Sequence, residues 1–177
     1  MLPIDWFGAG SVHVWTLDRS IPVRLELDAT DRAIIAELQQ DGRATHVALA
    51  DLVHLSPSAC LRRVRRLEEE GVISGYVARL DREAVGLGTT VFIEISLNSQ
   101  NEDLLDEFED AVRQVPEVVS CYLMAGNSDY LVKVAVADVA DYERIHRTHM
   151  ARLPGVANLR SSFALRAVAE DAPIVVR

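Results

Sequence analysis

Cysteine and long apolar runs are scarce in this chain, and each scarcity removes a class of protein. Only two cysteines occur in 177 residues, Cys60 and Cys121, and they form no CxxC pair. That excludes a disulfide framework and a cysteine-based zinc site. Cys60 reads as a small apolar core residue, and free thiols fit a cytoplasmic protein. No apolar run approaches the ~20 residues that span a bilayer. The N-terminus lacks a basic region followed by an uninterrupted apolar stretch, so no secretory signal and no membrane partner are expected. No Ser-His-Asp set, carboxylate pair or phosphate-binding glycine loop appears, so no catalytic residue is assigned. His146 and His149 stand at i, i+3 spacing, but no nearby cysteine or third ligand accompanies them, and no metal or cofactor is expected.

The net charge of −9 argues against a polyanion partner when taken over the whole chain. Nucleic acid responds to local potential, however, and one basic surface patch suffices. Such a patch exists. The segment Leu55 to Gly71, LSPSACLRRVRRLEEEG, holds Arg62, Arg63, Arg65 and Arg66 within five positions. Cys60, Val64 and Leu67 keep the i, i+4, i+7 spacing of one helical face. One helix therefore packs a core on one side and offers guanidinium groups on the other, suited to guanine O6 and N7 or to phosphates in a major groove. Ion pairing with Glu68, Glu69 and Glu70 would stabilise by only ~0.3–0.5 kcal/mol per surface pair and does not demand four clustered arginines.

The neighbouring segments complete a helix-turn-helix. Asp28 can cap a helix to Gln40, with Asp31 at its third position and Ile34, Ile35 and Leu38 facing inward. Thr45 can cap a short second helix to about Val53. Ser56 is an N-cap and Pro57 an N1 residue for the third helix, which stops at Gly71. Val72 to Leu80 reads as extended, a wing or a strand leading out of the domain. Residues 1–27 read as an extension, either poorly ordered or an arm for a partner subunit.

A hinge at 81–88 precedes a change of texture. Thr89 to Leu97 alternates as a strand, and Glu102 to Val115 is helical. Val118 to Ala125 and Tyr130 to Val136 are strands around a turn, Asp138 to Leu153 is a helix and Val156 to Val168 a strand. Strand, helix, strand, strand, helix, strand is the ferredoxin-like βαββαβ order, an α+β fold with one sheet face left for a second copy to cover. The expected divisions are thus 28–80 for the winged helix-turn-helix, 89–168 for the α/β unit and 169–177 for a tail.

Taken together, LDATDRAIIAELQQDGRAT, LADLVHLSPSACLRRVRRLEEEGVISGY, GNSDYLVKV and LPGVANLRSSFAL closely resemble the Lrp/AsnC family of transcription regulators. The resemblance spans about Leu27 to Val168, with the leucine-responsive branch slightly nearer. It implies a homodimer, often assembled into octamers, that binds double-stranded DNA. It also implies that the second domain, called RAM, senses an amino acid or related small molecule. Siroheme decarboxylase subunits share the two-domain layout, so an enzyme remains an alternative, as does a non-specific architectural DNA protein.

The expected DNA contacts are Arg62, Arg63 and Arg66, with Ser56, Pro57 and Ser58 at the helix N-terminus. The turn Gly126-Asn127-Ser128-Asp129-Tyr130 is an ordinary hairpin on its composition. It could equally form an anion nest beside a carboxylate that accepts an ammonium group. The resemblance favours the second use, because the family's effector loop is a Gly-x-x-Asp-Tyr motif, and it adds Ser161, where the family commonly has threonine.

Overall fold

The computed structural model describes residues 26–176. The expectation for the N-terminal extension therefore lies outside the described residues, apart from Glu26 and Leu27. The described chain divides into two units, residues 26–79 with 168–176, and residues 80–167.

The first unit is built on three capped helices. Asp28 and Asp31 form a reciprocal capping box at the start of α1 (Ala29–Gln40). Thr45 caps α2 (His46–Leu52) and Ser56 caps α3 (Pro57–Glu69), whose first residue is proline. Each cap satisfies backbone N–H groups that a helix start leaves unpaired. Ile34 and Ile35 of α1, Leu49 and Ala50 of α2, and Cys60, Val64 and Leu67 of α3 are buried together. Each fully buried large aliphatic side chain there contributes about 1.5–3 kcal/mol. The turn between α2 and α3 passes through His54 at φ 56°, the left-handed region. Gly71, at φ 71°, ends α3 in the same region, where a side chain would be strained.

Two features of this unit differ from expectation. Residues 72–80 form no regular strand, although Tyr76 of that segment lies over Gly42 and donates from its hydroxyl to Glu68. The carboxyl-terminal residues are no free tail. The Gln39 side chain donates to the Ile174 carbonyl at 3.0 Å and accepts from the Ile174 N–H at 2.6 Å. Val176 packs against the helical core.

The second unit holds β1 (Thr89–Leu97), α4 (Glu102–Arg113), β2 (Val118–Leu123), β3 (Tyr130–Val136), α5 (Val139–Thr148), a 3-10 turn (Met150–Arg152) and β4 (Val156–Phe163). The sheet order is β2-β3-β1-β4, with every neighbouring pair antiparallel. This is the expected βαββαβ arrangement. Val91, Ile93, Ile95 and Leu97 on β1 and Tyr130, Val132, Val134 and Val136 on β3 face the helices, where Phe108, Val112, Tyr142 and Ile145 meet them. The alternate residues, among them Phe92, Glu94 and Ser96, form the outer sheet face.

The expected helix to Leu153 stops earlier, at Thr148, and continues as the short 3-10 turn. The Thr148 hydroxyl donates back to the Arg144 carbonyl, a local bond that competes with helix continuation. Strand β4 ends at Phe163 rather than Val168, because its ladder with β1 runs out at Val91. Gly155 turns the chain into β4 at φ 66°, and a Cβ there would stand 2.6 Å from Leu104 Cδ2. Among the described residues no helix is long and apolar enough to cross a membrane.

Candidate functional site

Helix α3 carries its arginines in two directions. Arg63 Nη1 stands 2.7 Å from Asp28 Oδ2 and 2.8 Å from Asp31 Oδ1, and Arg66 Nη2 stands 2.5 Å from Asp31 Oδ2. The Asp31 side chain is 1% exposed, against 28% for Arg63 and 42% for Arg66. Asp31 thus sits between two helices, closing the α1 cap with one oxygen and holding two guanidinium groups of α3. The Asp28 carboxyl is held below the usual carboxylate range, first by the Asp31 N–H and then by Arg63. The Arg63 guanidinium is pushed the other way, by Asp31 and then Asp28.

Arg62 and Arg65 are different. Both are exposed, and among the described residues neither has an ion-pair partner. Ser58 is exposed, with its hydroxyl 3.3 Å from that of Ser56, which caps the helix by accepting the Ala59 N–H. Of the expected DNA contacts, the structure leaves Ser56, Pro57, Ser58 and Arg62 at the surface and turns Arg63 and Arg66 toward α1. Arg65 was missed. Its signal was available in the spacing, since it falls three positions after Arg62 and seven after Ser58.

The effector candidates also divide. Gly126 and Asn127 are exposed, and Ser128 is half-buried. The Asp129 carboxylate accepts the Leu97 N–H at 2.7 Å and the Gln100 side-chain amide at 2.5 Å, so it anchors the loop to the end of β1. Tyr130 faces the helices. Its ring lies 4.3 Å from that of Phe108 and its hydroxyl donates to Glu109, and burial, followed by Glu109, raises its pKa. Ser161 also lies on the helical side, hydrogen-bonded to the Tyr142 hydroxyl. These five loop residues and Ser161 therefore do not converge on one pocket.

A shallow depression of about 140 Å³ opens instead on the outer sheet face, lined by Glu94, Ser96, Asn127, Ser128, Asn158 and Arg160. Arg160 Nη1 is 3.9 Å from Glu94 Oε2, and both side chains are at least half exposed. Opposite charges, amides and hydroxyls around one hollow suit a small zwitterion better than an apolar ligand. Strand alternation sets Glu94 and Ser96 on one face, and the pairing of β1 with β4 brings them opposite Arg160 and Asn158. Among the described residues no cluster of three or more His, Cys, Asp or Glu side chains could hold a metal ion.

Comparison with known proteins matches this layout unit by unit. The family described as Lrp/AsnC ligand binding domain matches residues 90–174, and the one described as Winged helix-turn-helix DNA-binding matches residues 27–74. The chain is 44% identical over 143 residues to the Bkd operon transcriptional regulator of Pseudomonas aeruginosa, covering 81% of this chain and 94% of that one. It is 40% identical over 152 residues to the leucine-responsive regulatory protein of Escherichia coli strain K12, covering 86% and 93%. Among solved structures, a transcriptional regulator from Neisseria meningitidis in complex with L-Met superposes with a TM-score of 0.80 at 36% identity, over 84% of this chain and 96% of that one. The leucine response regulatory protein of Mycobacterium tuberculosis gives 0.71 at 35%, over 85% and 100%. Capped helical triad, four-stranded sheet and relatives that match nearly end to end agree: the chain belongs to the Lrp/AsnC family of transcription regulators.

Proposed function

We propose that this chain is a sequence-specific regulator that binds double-stranded DNA as a homo-oligomer and whose assembly or DNA affinity responds to an amino acid or a close chemical relative. The observation that carries the reading is α3, a helix with a buried apolar stripe, a capped N-terminus and uncompensated arginines on its outer side. Such a helix fits a major groove, where each good base contact contributes about 1–3 kcal/mol of discrimination. A second copy covers part of the outer sheet face, where Phe92 and Tyr122 are exposed, and a two-fold dimer presents two copies of α3 to two half-sites.

The L-Met complex of the Neisseria relative supports an amino acid as effector. In this chain the depression beside Asn127 and Ser128 offers Arg160 to an α-carboxylate and Glu94 to an α-ammonium group, with the exposed backbone at Gly126 adding donors. An effector acts only through different affinities for two states, typically 1–3 kcal/mol.

Selection of bound duplexes from a randomised pool, with and without each amino acid, tests both halves. The expected result is one enriched, partly palindromic motif whose affinity changes at least about fivefold with one amino acid. Retention of DNA without any enriched motif would favour an architectural role, and no retention would sink the reading. Arg160→Ala and Asn127→Ala should each weaken the effector response. Unaltered responses in both would place the effector elsewhere.

A further inference from the structure

The arginines of α3 differ in their partners: Arg63 and Arg66 pair with carboxylates of α1 and its cap, and Arg62 and Arg65 do not. At 100° per residue, Ser58, Arg62 and Arg65 centre roughly 160° from the buried stripe of Cys60, Val64 and Leu67, whereas Arg63 lies only about 65° from it. Arg63 is therefore a flanking residue of the packed face, and its ion pairs with Asp28 and Asp31 show where its charge is used. Arg66 stands about 125° from the stripe, and its side chain rather than its position on the helix brings it to the same carboxylate. Its Nε is buried without a hydrogen-bond partner and its Nη2 rests on Asp31. A guanidinium already neutralised by a carboxylate releases few counterions from a phosphate, because the pair must separate first.

We infer that the DNA-facing row of this protein is Ser58, Arg62 and Arg65, and that Arg63 and Arg66 are positioning residues that brace α3 against Asp31 of α1. Ser58 to Arg65 spans about 10 Å of helix, close to the width of a major groove. The next position in the row is Glu69, an exposed carboxylate that repels phosphate and so bounds the footprint at the third turn. Arg65 belongs to the interface, and the pair Arg63–Asp31 sets the angle at which the row is presented.

This assignment rests on the DNA-binding reading above, and the test separates the two. Affinity of the full chain for the duplex it selects from a randomised pool is measured against KCl concentration by fluorescence anisotropy. Each lost phosphate contact flattens the slope of log K against log salt by about 0.9. Arg62→Ala and Arg65→Ala should each flatten it by about twice that amount, because the substitution falls in both copies of α3 on the duplex, and keep the wild-type thermal midpoint. Arg63→Ala should lower the midpoint, weaken binding by misorienting the row, and keep the wild-type slope; Arg63→Lys should recover part of both losses. An Arg65→Ala variant with unchanged slope and unchanged affinity overturns the assignment, and so does an Arg63→Ala variant that flattens the slope as Arg62→Ala does. Arg62 and Arg65 are exposed, so their variants fold and decide the matter even if Arg63→Ala does not. A wild-type chain that selects and binds no duplex would overturn the DNA reading itself, and this assignment with it.

Discussion

Replacing Asp31 with alanine should cost far more than the loss of any other single ion pair in the described chain. Its carboxylate is 1% exposed and receives Arg63 at 2.8 Å, Arg66 at 2.5 Å and the Asp28 N–H at 3.2 Å. Removing one partner of a fully buried pair costs about 3–5 kcal/mol, because the other charge is left without compensation. Here the arginines keep partial access to water, which reduces that figure, while the lost capping bond adds a few tenths to it. The net expectation is a loss of about 2–3 kcal/mol. For a domain of this size that lowers the unfolding temperature by roughly 10–20 °C. Calorimetry of wild type, Asp31→Ala, Arg63→Ala and the double variant measures it, with a coupling energy of about 1–2 kcal/mol expected from the cycle. The control is Glu143→Ala. Its partner Arg147 lies 3.7 Å away with both side chains at least 70% exposed, and a pair of that kind is worth at most about 0.5 kcal/mol. A loss below 1 kcal/mol for Asp31→Ala, or additive single variants, would refute the argument.

Three further outcomes follow from local geometry. His54 adopts φ 56° with an exposed side chain, so His54→Gly relieves left-handed strain at the cost of chain entropy and should raise stability by about 0.5 kcal/mol in urea unfolding. Gly155→Ala adds a Cβ 2.6 Å from Leu104 Cδ2 at φ 66° and should destabilise by about 2–3 kcal/mol, with part of the loss recovered by a second change, Leu104→Ala. Asp28→Asn keeps the cap but removes the charge. The Asp28 pKa is depressed in the fold, so its contribution is present above its ordinary value and lost as pH falls through the lower folded one. The variant should therefore be less stable than wild type at neutral pH, and the gap should close in acid titration as pH falls below the ordinary carboxylate range.

What could be read in the chain beforehand was what is encoded locally. Asp28 with Asp31, Thr45, and Ser56 with Pro57 announce helix starts within four residues, and the structure has all three caps. The alternation of Val91, Ile93 and Ile95 announces a strand for the same reason, since side-chain period needs no partner to be visible. What was lost lies in contacts that sequence separation hides. Arg63 and Asp31 are 32 residues apart, and four clustered arginines carry no mark of which ones a distant carboxylate claims. Tyr130 and Ser161 were grouped with the loop by motif, although their registers, opposite Ile95 and Ile93, put them on the helical side of the sheet. Glu94 and Arg160 were passed over because a hollow made by two strands exists only once they are paired.

The grip of Gln39 on Ile174 changes how this protein can be cut and tagged. The backbone passes from one unit to the other near Arg79 and returns near Val168, so both linkers end on the helical triad. A fragment stopped at Arg79 would lose the amide clasp and the Val176 cover, and should melt below the same helices in the intact chain. A handle meant for the second unit needs one of its internal loops, because the segment from Val168 belongs with the helices.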